Sequence, residues 1–223
     1  SAIGQGVCFE WAPLGLARVE ALWLDKAVVR VGFARAVSEM LPRLRPLEFF
    51  RPAQVDAHGN FNNFALGSDY ARPRLRLPGS GGIPDVTTYE ESVCLYVPRH
   101  SRVTFVQQVD YVSGLGHTPA RTHGAGPRYL VTDLGQFDFA GPGGQMRLTS
   151  LHPGVRVEQV RAKTGFDFET APGCDVTPPP TQEEVRLLRE EIDPLGVRKL
   201  ELLGGAARKE LLREILEKEG VVE

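Results

Sequence analysis

The chain has 223 residues, 42% of them hydrophobic, enough for one sizeable buried core and more in keeping with one globular domain than two. Its 26 basic and 28 acidic residues leave a net charge of −2, so no broad field favours nucleic acid or an anionic membrane, and an anionic ligand must be held by local groups. Cys8, Cys94 and Cys174 are odd in number, far apart and lack a Cys-x-x-Cys pair, which argues against a disulfide framework or zinc site and sets a reducing cytoplasm as the expectation.

No apolar run reaches the ~18 residues of a spanning helix. The Ser1–Gly6 segment also lacks the basic flank and apolar stretch of a signal peptide. Along the chain, Val28–Val31 reads as a short strand because it is β-branched and bounded by charges and glycine. The segment Ala53-Gln54-Val55-Asp56-Ala57-His58-Gly59-Asn60-Phe61-Asn62 reads as a strand end followed by a sharp turn. There the short amides of Asn60 and Asn62 either bond nearby backbone, as in an Asx turn, or reach a ligand. Gln54 and Asp56 sit where a strand end opens toward a crevice, so Gln54, Asn60 and Asn62 are assigned to shaping a site rather than to proton transfer.

Arg72, Arg74 and Arg76 alternate with Pro73, Leu75 and Leu77, which puts three guanidinium groups on one face of an extended chain. They fit either a solvated edge strand, whose charges prevent edge-to-edge pairing, or contacts to ligand phosphates. Next comes Gly79-Ser80-Gly81-Gly82, which can bring peptide N–H groups close to a ligand, with Asp85 as a cap for a following helix. The loop matches neither a phosphate loop nor a dinucleotide fingerprint, and Ser80 is not in a Gly-x-Ser-x-Gly elbow.

Ser92–Val97, Val103–Val106 and Arg128–Thr132 read as further strands, with Gly124–Arg128 and Ala140–Gln145 as loops. Thr181 and Glu184 have the spacing of a capping box, followed by Val185, Leu188 and Ile192 at helical intervals until Pro194. A last helix over about Ala206 to Lys218 is predicted to place Leu211, Leu212, Ile215 and Leu216 on one side. The five histidines show no metal-ligand or triad spacing. The expected architecture is one α/β domain over residues 1–195, an open mixed or mainly parallel sheet with helices on both faces, plus a helical appendage over residues 196–223.

The two loops around Asn60 and Gly81, continued by Phe105–Ser113, Val131–Phe139 and Met146–Val155, resemble the B (beta) subunit of family I CoA-transferases of the glutaconate type, from about residue 47 to about residue 195. Compared with that family the chain starts abruptly, Ile3–Gly6 running straight into Val7-Cys8-Phe9, and the resemblance implies that part of the native N-terminus lies outside this numbering.

The resemblance also implies a substrate, a coenzyme A thioester, and a nucleophile. Phe9-Glu10-Trp11-Ala12-Pro13-Leu14-Gly15 has the family's Glu-x-x-x-Leu-Gly spacing, which makes Glu10 the expected catalytic residue, with Trp11 and Ala12 where the family usually has Asn and Gly. A carboxylate in this role attacks the thioester carbonyl and later carries the CoA itself. The loop Gly79, Ser80, Gly81, Gly82 would then stabilise the oxyanion and hold CoA.

No metal or permanently bound cofactor is required by such chemistry. The implied partners are a homologous A (alpha) subunit, in an α2β2 or similar heteromer, together with an acyl-CoA and a carboxylic acid. Asp133–Val155 and Glu183–Pro194 are also similar to the B-type chain of steroid-ring-cleaving hydrolases on the same fold, which add water across a carbon–carbon bond of a cyclic keto-acyl-CoA. A non-catalytic scaffold subunit is the third reading.

Overall fold

Short β-branched and aromatic runs favour a sheet, and in the computed structural model of the chain they assemble into a six-stranded one. The structure describes residues 6–7, 13–17 and 27–221; Cys8, Glu10, Trp11 and Trp23 lie outside the described residues. The chain divides into two compact units, residues 37–177 and residues 1–36 together with 178–223.

The larger unit begins with strand β1 (Leu47–Phe50). Two short antiparallel pairs follow, β2 (Gln54–Val55) with β3 (Phe61–Asn62), and β4 (Ala65–Leu66) with β5 (Leu75–Arg76). Helix α1 (Ile83–Tyr89) then returns the chain to β6 (Ser92–Val97), which lies parallel to β1. A parallel neighbour cannot be reached by a tight turn, and the excursion with its helix supplies the crossover.

The sheet continues with β7 (Pro127–Thr132), β8 (Gly135–Asp138), β9 (Arg147–Leu151), helix α2 (Val157–Lys163) and β10 (Glu169–Val176), in spatial order β10-β9-β8-β7-β6-β1. The β1–β6, β6–β7 and β9–β10 pairings are parallel, while β7–β8 and β8–β9 are antiparallel, so the sheet is mixed and mainly parallel.

Register explains which side carries the core. Phe50 pairs with Leu95, Leu95 with Leu130, Leu130 with Phe137 and Phe137 with Leu148, forming one row across five strands. Leu95, Leu130, Phe137 and Leu148 are all fully buried, and Val93, Val97, Phe105 and Met146 join them. Truncating one such aromatic, Phe137, removes ring contacts to Phe105 and Phe168 and would cost about 3–5 kcal/mol. The neighbouring row, Phe49, Cys94, Tyr129, Asp138 and Arg147, points to the other side because successive side chains alternate, and there Phe49 and Tyr129 are exposed.

Several local expectations change. Val103–Val106 is not a strand: only Phe105 bridges, to Val55, with Val55 N–H donating to Thr104 O at 2.7 Å and Val106 N–H to Val55 O at 3.0 Å. The run buttresses a hairpin through Phe105, which is fully buried, while Val103 is exposed. Strand β7 begins at Pro127, so the end of the expected Gly124–Arg128 loop is extended chain. Asp85 does not cap α1; Gly82 is the N-cap and Asp85 lies within the first turn, where a carboxylate still suits the positive end of the helix.

In the smaller unit, Gly6–Val7 pairs antiparallel with Val29–Arg30, which is all that is realised of the Val28–Val31 strand. The capping box forms as expected: Glu184 N–H donates to Thr181 Oγ1 at 3.2 Å and Thr181 N–H to Glu184 Oε2 at 2.7 Å, starting α3 (Gln182–Arg186). The helix widens into a π-helical stretch at Leu187–Ile192 and stops before Pro194. Buried Asp193 accepts from Val197 N–H at 2.6 Å and from the Arg198 guanidinium at 2.6 Å, tying down the next turn. In the last helix, α4 (Gly205–Lys218), only Ile215 of the expected apolar stripe is fully buried and Leu212 is exposed. Glu219 just beyond it accepts from Leu16 N–H at 2.9 Å and Ala17 N–H at 3.1 Å.

Candidate functional site

Strands β1 and β6 are parallel neighbours that end at Phe50 and Val97, so the residues after them leave the sheet at the same end. The crevice outside the carboxyl ends of parallel strands is where α/β sheets generally hold ligands. A cleft of about 430 Å³ lies there, walled by Arg51, Pro52 and Ala53 after β1, by Val97, Pro98 and Arg99 at the end of β6, and by Asn63, Thr104 and Leu77–Gly79. That volume suits part of a small-molecule ligand. Two guanidinium groups, those of Arg51 and Arg99, stand at the wall.

The glycine loop forms one lip. Leu77 N–H donates to Phe64 O at 3.0 Å and Gly79 N–H to Asn63 O at 3.1 Å, which fixes the approach to the loop. Gly79 has φ +106° and Gly81 φ +49°, conformations that an L side chain rarely adopts. Ser80 O accepts from Ile83 N–H at 2.9 Å as α1 begins. Among the described residues the N–H groups of Ser80, Gly81 and Gly82 donate to no backbone partner, whereas that of Gly79 is already engaged. Of the four loop residues expected to bind, Gly79 lines the cleft, and Ser80, Gly81 and Gly82 follow it directly in the chain up to the start of α1.

Gln54, Asn60 and Asn62 lie behind this wall and are buried. Asn62 Nδ2 donates to Gln54 Oε1 at 2.8 Å and to Ala65 O at 2.6 Å, while its Oδ1 accepts from Phe64 N–H at 2.9 Å. Gln54 Oε1 also accepts from Asp110 N–H at 3.1 Å. Asp56 forms the Asx turn, accepting from His58 N–H and Asn60 N–H, both at 3.0 Å, and from Asn60 Nδ2 at 2.9 Å. Asn60 Oδ1 takes Gly116 N–H at 2.8 Å. These amides hold the β2–β3 hairpin and the strand-like start of the glycine loop in place; the side-chain polar atoms of Asn60 and Asn62 are spent internally.

One further buried polar group stands near the end of β6. His100 is 3% exposed, its ring lies against Phe105, and its two nitrogens meet Thr132 Oγ1 at 3.2 Å and Thr164 Oγ1 at 3.0 Å. Burial pushes its pKa down from 6.5 to about 4, outweighing the opposite pull of Asp133. Its own N–H donates to Asp133 Oδ1 at 2.7 Å, so backbone and ring together anchor the segment that carries Pro98 and Arg99.

Arg51, Asn63, Arg99 and Thr104 are cleft residues that no sequence motif singles out. The available signal is position: Arg51 is the first residue and Arg99 the second after the end of a strand. Arg121 is a different kind of cation, its guanidinium donating to the carbonyls of Gly116 at 3.0 Å, Thr87 at 2.7 Å and His123 at 2.8 Å, and to Leu115 O as well. It is a structural clamp. Among the described residues no cluster of His, Cys, Asp or Glu has the composition to hold a metal ion, and no helix is long and apolar enough to cross a membrane.

Residues 47–163, just over half of the chain, match the Coenzyme A transferase family. The cholesterol ring-cleaving hydrolase IpdB subunit of Rhodococcus jostii (strain RHA1) is 36% identical over 154 residues, covering 67% of this chain and 60% of the relative. The B-type chain of 3-oxoadipate CoA-transferase from Pseudomonas knackmussii is 36% identical over 199 residues, covering 84% of this chain and 69% of the relative. The crystal structure of Rhodococcus jostii RHA1 IpdAB superposes with a TM-score of 0.73 at 29% identity, over 88% of this chain and 77% of that one. Glutaconate coenzyme A-transferase from Acidaminococcus fermentans superposes with a TM-score of 0.72 at 26% identity, over 90% and 80%. The chain thus spans only about 60% of the length of the first of these curated relatives. Motif order, sheet topology and these matches agree: the chain belongs to the Coenzyme A transferase family.

Proposed function

We propose that the chain is the B-type subunit of a heteromeric enzyme acting on coenzyme A thioesters, and that its reaction is transfer of CoA from an acyl-CoA to a free carboxylic acid. The observation that carries this reading is the cleft at the carboxyl ends of β1 and β6, with Gly79 in its wall and the unengaged N–H groups of Ser80, Gly81 and Gly82 next in the chain. A homologous A-type chain is the expected partner, as the relatives' names describe one of two unlike subunits.

In this reading the Glu10 carboxylate, which lies outside the described residues, attacks the thioester carbonyl and releases CoA thiolate, leaving an acyl-glutamyl anhydride. The thiolate then attacks the glutamyl carbonyl, freeing the first acid and forming a glutamyl-CoA thioester. A second carboxylate attacks that thioester and expels CoA thiolate, which takes the new acyl group and restores the glutamate. Each attack places negative charge on a carbonyl oxygen, and peptide N–H groups fixed by the glycine loop stabilise it as it forms. Arg51 and Arg99 favour anionic groups of the substrates at the cleft wall. No metal or organic redox cofactor takes part.

Hydrolysis is the second reading, favoured by the 36% identity to a ring-cleaving hydrolase subunit. The two are separated by incubating the chain and its A-type partner with assorted acyl-CoAs, trapping with borohydride and analysing peptides by mass spectrometry. CoA-dependent modification of the Glu10 peptide supports transfer. Consumption of acyl-CoA without modification, and without CoA reaching an acceptor acid, sinks the transferase reading in favour of hydrolysis. No turnover at all leaves a scaffold subunit.

A further inference from the structure

The arginines of the 72–76 segment are not equivalent. Arg76 lies over two aromatic rings, with its guanidinium carbon 5.4 Å from the Phe64 centroid and 5.1 Å from that of Tyr70, and donates to Tyr70 O at 3.0 Å. Phe64 and Tyr70 stack at 5.6 Å with 8° between their planes, and Tyr111 meets Phe64 edge-on at 5.6 Å. Arg76 is therefore a clamp within a small aromatic group. All three arginines are exposed, but the side chains of Arg72 and Arg74, unlike that of Arg76, have no ion pair or hydrogen bond among the described residues. The nearby carboxylates bond backbone instead: Asp69 accepts from Ala71 N–H at 2.9 Å and Asp110 from Gly67 N–H at 2.8 Å.

This basic, aromatic arm is rooted in the cleft. It is a hairpin whose strands pair Ala65 with Arg76 and Leu66 with Leu75. Its base is closed by the Leu77–Phe64 and Gly79–Asn63 hydrogen bonds, and Asn63, Leu77 and Gly79 are cleft-wall residues. From Leu77 back to Arg72 the chain reaches at most roughly 17 Å. A ligand reacting in the cleft and reaching along the arm must be long, with a flexible middle, and end in groups that suit an exposed ring and two unpaired guanidinium groups.

A solvated edge strand explains exposed arginines but not Tyr70, 63% exposed yet packed beside them against Phe64 and Arg76. An exposed aromatic ring stacks on a nucleobase, worth roughly 1–3 kcal/mol, and guanidinium groups pair with phosphates in bidentate fashion. We infer that the Asn63–Gly79 hairpin is the arm that holds the nucleotide end of the thioester substrate, with Tyr70 against the adenine base and Arg72 and Arg74 on its phosphates. This deepens the CoA-thioester reading and rests on it for the identity of the long ligand.

The test uses the full-length chain and adenosine 3′,5′-bisphosphate, the nucleotide end of CoA without the reactive arm, in isothermal titration at low salt. The wild-type chain is expected to bind it, more weakly as salt is raised. The Arg72→Gln/Arg74→Gln variant should lose at least about tenfold in affinity and Tyr70→Ala a comparable amount, whereas Arg72→Lys/Arg74→Lys should fall between wild type and the Gln pair, because the charge persists while the bidentate geometry does not. Thermal melts check that each variant is folded. Equal affinity in wild type and the double Gln variant, no binding to wild type, or equal binding of inorganic phosphate would each overturn the inference. The outcome is separable from that of the transfer reading: Glu10-peptide labelling with arm-independent binding defeats the arm alone. Arm-dependent binding without labelling or turnover defeats the transfer reading alone.

Discussion

His100 stacks face to face on Phe105, ring centroids 3.7 Å apart and planes within 6°. Its tautomer follows from its neighbours. Thr164 Oγ1 donates its own hydrogen to Val160 O at 2.8 Å, so it accepts from His100 Nε2–H, and Nδ1 is left as the acceptor facing Thr132 Oγ1. Thr132 Oγ1 already accepts from Leu134 N–H at 3.0 Å and Gly135 N–H at 3.2 Å, so a second ring proton would have to compete with both for it.

The consequence is acid sensitivity with a defined sign. The folded state holds His100 neutral down to a pKa of about 4, against 6.5 when unfolded, so the unfolded chain binds the proton first. Stability from this group is complete above pH 6.5, declines as pH falls, and is fully lost near pH 4. At about 1.4 kcal/mol per pH unit the loss approaches ~3 kcal/mol. Denaturant unfolding of wild type and His100→Gln across this range should give curves that converge toward low pH. Parallel curves would show that the ring does not titrate as the packing requires.

Glu90 titrates in the opposite sense. It is 1% exposed, and its Oε1 has no hydrogen-bond partner among the described residues. Burial, then the neighbouring Glu48 and Glu91 charges, raise its pKa. A raised carboxyl pKa means that the protonated form suits the fold, so its contribution is present below pH 4.5 and is lost as pH rises through the folded pKa. Glu90→Gln should therefore stabilise the chain by about 1–2 kcal/mol at pH 7.5 and change little at pH 4. Chemical denaturation at the two values reads this directly. A destabilised Gln variant at pH 7.5 would mean that the carboxylate has an ionic role in the fold.

The sequence reads well where local chemistry decides the structure. Thr181 and Glu184 form their capping box because both partners lie within one turn, and Ser92–Val97 becomes a strand because its alternation suits a sheet with one buried side. The Ala53–Asn62 turn is legible for the same reason, its Asp56 ring of bonds being closed within a few residues. What stays hidden depends on tertiary adjacency. Arg51 and Arg99 share a cleft only because β1 and β6 are parallel neighbours, a pairing made across a long excursion that neither local run encodes. Phe105 looks like strand but serves the β2–β3 hairpin, since a β-branched run signals burial as readily as a ladder.

Asn62 tests whether the buried amides support the cleft. It is fully buried and joins Gln54, Ala65 and Phe64, so Asn62→Ala leaves Ala65 O and Phe64 N–H without this partner. The expected cost is about 2–3 kcal/mol, a fall in Tm of roughly 5–10 °C for a chain of this size. The same change loosens Asn63, whose carbonyl holds Gly79, so hydrogen exchange at the Gly79 amide should accelerate before global unfolding. An unchanged exchange rate would separate the amide network from the glycine loop.

The loop glycines make the sharpest contrast. A Cβ at Gly79 or Gly81 meets no atom within 4 Å, so steric collision is removed from the comparison and backbone conformation is left. Gly81 at φ +49° sits close to the left-handed region that a non-glycine residue enters for roughly 1 kcal/mol, whereas Gly79 at φ +106° lies outside it. Gly81→Ala should fold with a small loss of stability. Gly79→Ala should shift the loop, because the chain relieves strain by rotating away from φ +106° and breaking the Gly79–Asn63 hydrogen bond. If the loop's peptide groups stabilise the oxyanion, Gly79→Ala lowers kcat by about 10²-fold with a smaller effect on KM, the pattern of an interaction made in the transition state. Equal kcat values for the two variants in the assembled enzyme would place oxyanion stabilisation elsewhere.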